Sequence, residues 1–278
     1  MRWKEHIARL WRHAKWPVTW TLWAVLMAWL AVALWHGCNG SASPGDRHPL
    51  PTAVRDSLLS VDCSALPHVA HRRYTAFEVD YDTALHLPRC VAYELRRDML
   101  GGDAQRYDDF VADPSVPGCA QPEAYHGSGM HRGHMAPAAD MATNEQAMRE
   151  SFFMTNICPQ DASLNEGGWA RLEEKVREWT LRDSALLVFA GPVIDSIDST
   201  TRPAAFFKVV VNACAARPTA VAFIYPNAPS NGPLKQYAVT IDEVQRRTAL
   251  RWRLPWTPQE RERIKTCNEL EYWQLKNN

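Results

Sequence analysis

Six short runs with strand character follow residue 67 or so, and they constrain the fold more than any other feature. "YTAFEVDYD" (74–82) alternates through Phe77, Val79 and Tyr81. That period of two marks a strand with one face buried. "CVAYEL" (90–95), "LLVFAGPVI" (186–194), "FFKVVV" (206–211), "AVAFIYP" (220–226) and "QYAVTI" (236–241) are further short runs rich in β-branched and aromatic residues. Between the second and third, Trp169, Leu172, Val176 and Trp179 recur at spacings of 3, 4 and 3. That spacing predicts one amphipathic helix from about Gly168 to Leu181. A doubly wound parallel sheet needs a helix between successive strands, and the later gaps are too short for that. The expectation is an α+β fold in one domain, with an antiparallel or mixed sheet.

The 278 residues, 46% hydrophobic and 22% charged, suffice for a large domain with its own core. Formal charge is zero but unevenly placed. Residues 1–38 hold five basic residues against one acid, Glu5, which leaves 26 basic and 30 acidic residues of the totals of 31 each. The bulk basic field of a general nucleic-acid binder is therefore absent, and any polyanion must be gripped by a local site.

From Val18 to Trp35 the chain carries no charge for 18 residues. As a helix this spans ~27 Å, close to a hydrocarbon core of ~30 Å. Seven of the twelve tryptophans lie in residues 1–38, with Trp16, Trp20 and Trp35 near the ends of the run, as interface anchors would be. The basic flank puts that end in the cytoplasm. The expected organisation is a cytoplasmic basic segment (1–17), a transmembrane signal-anchor (18–36), a flexible Gly-, Ser- and Pro-rich linker (37–66) and one folded domain (67–278). Cleavage after "AVA" (31–33), a lipid on Cys38, or a mitochondrial address are alternatives. The preferred placement is a membrane-anchored domain outside the cytoplasm, in a bacterial periplasm or cell envelope. Six cysteines beyond residue 60 (Cys63, Cys90, Cys119, Cys158, Cys214, Cys267) fit such an oxidising space and are expected to include disulfides, with Cys158 the best candidate for a plain buried thiol. No CxxC pair occurs, which argues against a zinc ribbon.

The chemistry concentrates in "SGMHRGHMAPAADM" (128–141), where His131, Arg132 and His134 fall within four residues. Downstream stands "SFFMTNICPQDASLNEGGWARLEE" (151–174), with Asn156, Asn165 and Glu173. Asn165 precedes the predicted helix and Glu173 lies eight residues further, ~12 Å along a helix axis. The two cannot grip one ion together. A carboxamide oxygen on a hard cation, with the carboxylate reached through bound water, suits that spacing and suits Mg²⁺.

These two segments together resemble the DNA/RNA non-specific endonucleases with a ββα-metal core. "RGHMAPAAD" matches the signature segment and "ESFFMTNICPQDASLNEGGWARLE" the segment with the metal-ligand asparagine. "VAYEL", "RYDDFVADP" (106–114), "FAGPVI" and "PAAFFKVVV" extend the likeness from about Tyr74 to Ile241. The resemblance implies a ββα-metal nuclease fold, with a mainly antiparallel central sheet flanked by helices and here preceded by the transmembrane helix. It implies metal-dependent hydrolysis of DNA and RNA without sequence preference, giving 5′-phosphate and 3′-hydroxyl products. His134 would be the general base and Asn165 the direct ligand of Mg²⁺, for which Mn²⁺ substitutes. Glu173 would order the metal's waters, and Arg106 would reach the scissile phosphate. Arg132 would support the phosphate or the loop, and Asn156 would position His134 or a water. Asp140 would cap or brace the loop. Implied partners are the DNA and RNA substrates, and the membrane through the N-terminal helix; a homodimer is left open. The chain departs from the family at His131, where an Asp usually precedes Arg-Gly-His and would pair with the arginine. Two other readings are kept: a zinc hydrolase using His126, His131 and His134, and a catalytically impaired, membrane-tethered nucleic-acid-binding module.

Overall fold

The alternation read from single strands is carried on both faces of one large sheet. The computed structural model describes Asp56, residues 59–194 and residues 202–275. The strands in chain order are β1 (Val61–Asp62), β2 (Val69–Arg73), β3 (Glu78–Asp82), β4 (Leu87–Arg96), β5 (His131–His134), β6 (Ile157–Gln160), β7 (Ala185–Val193), β8 (Ala205–Asn212), β9 (Thr219–Pro226), β10 (Ala238–Val239) and β11 (Arg251–Trp252). Seven of them form a sheet in the order β10-β9-β8-β7-β4-β3-β2, and every pairing in it is antiparallel. β5 and β6 make a separate antiparallel ribbon, and β1 pairs with β11. β1 thus lies within the interval read as linker.

Among the described residues four α-helices flank the sheet: α1 (Glu145–Ser151), α2 (Ala170–Asp183), α3 (Ile241–Thr248) and α4 (Pro258–Thr266). Val188, Val210 and Phe223 point to one face and pack with Leu172, Val176 and Trp179 of α2. Their neighbours Leu187, Phe189, Val209 and Val211 point to the other and pack with Val244 of α3 and Ile264 of α4. A sheet covered on both sides buries its central strands completely, as β8 shows along its whole length.

Two local outcomes differ from the sequence expectation. The helix begins at Ala170, because a π-helical turn over Leu164–Trp169 precedes it. Gly168 sits there against the chain: a Cβ would fall 2.2 Å from the Ser230 carbonyl oxygen. The run "QYAVTI" is not one strand. Tyr237 ends a 3₁₀ turn and stacks on Tyr225 with centroids 3.9 Å apart. Only Ala238 and Val239 pair with β9, and Thr240 caps α3 by accepting from the Glu243 N–H.

The disulfide expectation is corrected. No disulfide forms among the described residues: Cys63, Cys90, Cys119, Cys158 and Cys267 are free thiols, and Cys158 is fully buried. The segment 18–36 lies outside the described residues. Among those described, no helix is long and apolar enough to cross a membrane.

Candidate active site

Strand alternation decides what each residue of His131-Arg132-Gly133-His134 faces. In β5, Arg132 and His134 share one side, while His131 and Gly133 share the other. Arg132 and His134 both meet Phe110. The guanidinium lies 5.2 Å from that ring's centroid and the imidazole 5.5 Å. Phe152 closes the other wall, edge-on to His134 at 4.8 Å. Arg106 lies 5.1 Å over Phe152 and pairs with Asp108 at 2.5 Å.

His134 is half-buried, with its Nε2 enclosed and without a hydrogen-bond partner. Burial pushes its pKa down to about 3; the charge of Arg106 acts in the same direction and Asp108 opposes. The imidazole is therefore neutral at any ordinary pH.

Asn156 does not touch that ring. It is fully buried and its amide is spent on backbone: Nδ2 donates to the carbonyls of Ala136 (2.9 Å) and Ser151 (2.8 Å), and Oδ1 accepts from the Ala136 N–H (2.8 Å). Its own carbonyl accepts from the Met135 N–H. Asn156 thus fixes the two residues after His134, and no amide hydrogen is left for a water.

Arg132 turns away from His131. Its Nη2 and Nε donate to the Pro122 carbonyl at 2.8 and 3.3 Å. With His131 in place of the family's Asp, the guanidinium is held by this backbone carbonyl. His131 faces the π turn: its Nδ1 is 3.5 Å from Asn165 Nδ2 and 3.4 Å from Glu166 Oε1. The Asn165 carboxamide oxygen accepts no hydrogen bond among the described residues. Phe110, Tyr125, Met130, His131, Arg132 and Asn165 line one open groove of about 440 Å³.

Glu173 sits on α2 above the sheet, its side chain 15% exposed, with Oε1 3.3 Å from the ammonium of Lys208. Burial pushes the Glu173 carboxyl up and the Lys208 ammonium down, each opposed by the other's charge. Asp140 braces from beside them, as its place after the signature suggested: its oxygens take Arg177 Nη1 (3.1 Å) and the Tyr93 hydroxyl (2.8 Å). Trp169 joins the two regions, with its indole N–H directed at the His134 carbonyl at 3.4 Å and its ring 4.3 Å from Lys208 Nζ.

The zinc reading is corrected. Among the described residues no three His, Cys, Asp or Glu side chains converge to hold a metal ion, so His126, His131 and His134 form no triad. Sequence reasoning missed Phe110, Phe152, Trp169 and Lys208. Only Lys208 carried a signal, as one charge inside the apolar run "FFKVVV".

Residues 58–253 match the model of the DNA/RNA non-specific endonuclease family. The chain is similar to the mitochondrial nuclease EXOG of Mus musculus, 42% identical over 125 residues that cover 44% of this chain and 34% of the relative. It is similar to the mitochondrial nuclease EXOG of Danio rerio, 35% identical over 203 residues that cover 64% and 59%. The chain thus spans roughly a third to three fifths of the length of these relatives. A chain in the crystal structure of an EndoG/EndoGI complex superposes with a TM-score of 0.62 at 26% identity, over 73% of this chain and 92% of that one. The relatives overturn the envelope placement: both are mitochondrial nucleases.

Proposed function

Because this chain belongs to the DNA/RNA non-specific endonuclease family, we propose that it is a divalent-metal-dependent endonuclease that hydrolyses phosphodiester bonds in DNA and RNA, with His134 as general base. The observation that carries this reading is the state of His134. Its imidazole is wedged between Phe110 and Phe152, with Nε2 unpartnered and Arg106 over the same Phe152 ring.

Nε2 is enclosed and unpartnered, so in this reading proton uptake falls to Nδ1. Nδ1 takes a proton from water as its oxygen attacks phosphorus. The bond from phosphorus to the 3′ oxygen breaks, the phosphate stays on the 5′ side, and the 3′ oxygen takes a proton from solvent. Arg106 is exposed, packed over Phe152 and, among the described residues, ion-paired with Asp108 alone, so its guanidinium can turn onto a phosphate oxygen. Arg132 is committed to Pro122 and holds the loop instead. Asn156 fixes the backbone that follows the base.

Asn165 fits the role of metal ligand. Its carboxamide oxygen is an unengaged hard donor at the groove, and Mg²⁺ takes few protein ligands and retains its waters. Asn165 would hold Mg²⁺ or Mn²⁺ there, and the ion would supply Lewis-acid stabilisation of charge developing on the phosphate and the leaving 3′ oxygen. Glu173 orders water through whichever oxygen Lys208 leaves open. No base-reading helix accompanies the site, and a phosphate-centred site ignores base identity.

The test is incubation of the full chain with supercoiled plasmid and with single-stranded RNA. Both are expected to be cut at many positions in Mg²⁺ or Mn²⁺, and EDTA is expected to stop cutting. A chain that binds either nucleic acid but cuts neither would return the reading to the impaired binding module.

A further inference from the structure

β8 runs through the middle of the sheet as an apolar strand with one charged exception. Lys208 stands between Phe207 and Val209, is 1% exposed, and points to the face that α2 covers. An ammonium in such a place is costly to bury unless it is paired and hydrogen-bonded. Its partners are Glu173 Oε1 at 3.3 Å and the face of Trp169 at 4.3 Å.

A second pair lies beside this one, Arg177 with Asp140, and the four charges sum to zero. The two carboxylates are not equivalent. Asp140 is 1% exposed, with one oxygen taken by Arg177 and the other by Tyr93. It is sealed into the core. Glu173 remains 15% exposed, with Oε1 held by Lys208 and Oε2 accepting no hydrogen bond among the described residues. Oε1 is pinned from below, and Oε2 has no protein partner among the described residues.

We propose that Lys208 is a positioning residue of the phosphodiester hydrolysis: by pinning Oε1 of Glu173 it presents Oε2 to water in a fixed direction. The inference rests on the water-ordering role given to Glu173 above. A purely structural ion pair needs no such asymmetry between its two oxygens. Lys208 touches neither substrate nor metal in this scheme and acts only through the carboxylate.

The experiment uses full-length protein in four forms: wild type, Lys208→Met, Glu173→Gln, and the double variant. Steady-state cleavage of DNA gives kcat and KM, calorimetry gives Mn²⁺ affinity, and melting gives stability. Lys208→Met is expected to lower kcat by roughly 10- to 100-fold, the usual effect of removing a residue that orients a metal-site group, with KM changed little. Mn²⁺ affinity is expected to fall in parallel with that in Glu173→Gln. The double variant is expected to have the kcat of Glu173→Gln alone, because the two residues act in series. Lys208→Met strands a buried carboxylate. Should it fail to fold, Glu173→Gln against the double variant still decides: Glu173→Gln strands only the Lys208 ammonium, which burial lets shed its proton, and the double variant strands no charge of this pair. Wild-type kcat and Mn²⁺ affinity in folded Lys208→Met, or a further drop in kcat from Glu173→Gln to the double variant, overturns the inference alone. A wild-type chain that neither cuts nor binds Mn²⁺ overturns the functional reading, and with it the role given to Lys208.

Discussion

His134 sits where a proton is hard to hold. Its enclosed Nε2 has no partner, and burial drives the pKa to about 3. As a free-enzyme base it is ready at all ordinary pH, and the negative phosphate of a bound substrate is what makes protonation tolerable. The acid limb of kcat/KM, which reports the free enzyme, is therefore expected well below the ordinary histidine value of about 6.5. Cleavage assays from about pH 7 down to about pH 5 should show kcat/KM undiminished by His134 protonation; a fall centred near pH 6.5 would place the base in water. The same depression acts on stability. Between about 6.5 and about 3 the unfolded chain takes up a proton that the folded chain refuses, so stability present above that window is lost as pH falls through it. His134→Gln should flatten that part of a melting-temperature profile, and an unchanged slope would contradict the shift. The pair of histidines was legible in the sequence, but their division of labour was not. It comes from strand alternation, which sends His134 to the phenylalanines and His131 to Asn165 and Glu166.

The ribbon of β5 and β6 holds the base in register, and Gly133 is the position that permits it. Gly133 pairs with Cys158, and a Cβ there would fall 2.2 Å from Oε1 and 2.7 Å from Cβ of Gln160. Gly133→Ala should cost about 1–3 kcal/mol of stability by overpacking, measured by urea denaturation, and should reduce activity by moving His134. A stable, fully active variant would show that the ribbon tolerates a shift. Asn156→Ala removes three buried bonds to backbone and should cost roughly 3 kcal/mol or more, with little change in Mn²⁺ affinity. A variant with native stability would deny the clamp. α2 was legible because Trp169, Leu172, Val176 and Trp179 repeat with the helical period. The π turn before it was not, since it depends on the close approach of Gly168 to Ser230. α3 and α4 were missed although a signal existed: Thr240 with Glu243 and Thr257 with Glu260 both have capping-box spacing, and both threonines cap their helices. Those helices are mostly polar, so hydrophobic periodicity passed over them.

At the scale of the molecule, one antiparallel sheet carries two cores, and the candidate site lies on the side covered by α2. The antiparallel arrangement was legible from alternation and short gaps; double-sided burial had a signal that went unused, since "FFKVVV" and "LLVFA" are near-continuous apolar runs, not alternating ones. Disulfides were inferred from an expected compartment, whereas the fold is closed by packing with free thiols. Reductant should accordingly leave the melting temperature unchanged, and a clear drop on reduction would reinstate a disulfide. The central claim is that a histidine base and a metal held by a single asparagine do separate jobs. Parallel measurement of DNA cleavage and calorimetric Mn²⁺ affinity on wild type, His134→Ala and Asn165→Ala tests it most directly. His134→Ala should lose at least about a hundredfold in kcat while binding Mn²⁺ as the wild type does, and Asn165→Ala should lose affinity and turnover together. A His134→Ala protein that loses its metal, or an Asn165→Ala protein that keeps it, would contradict that division.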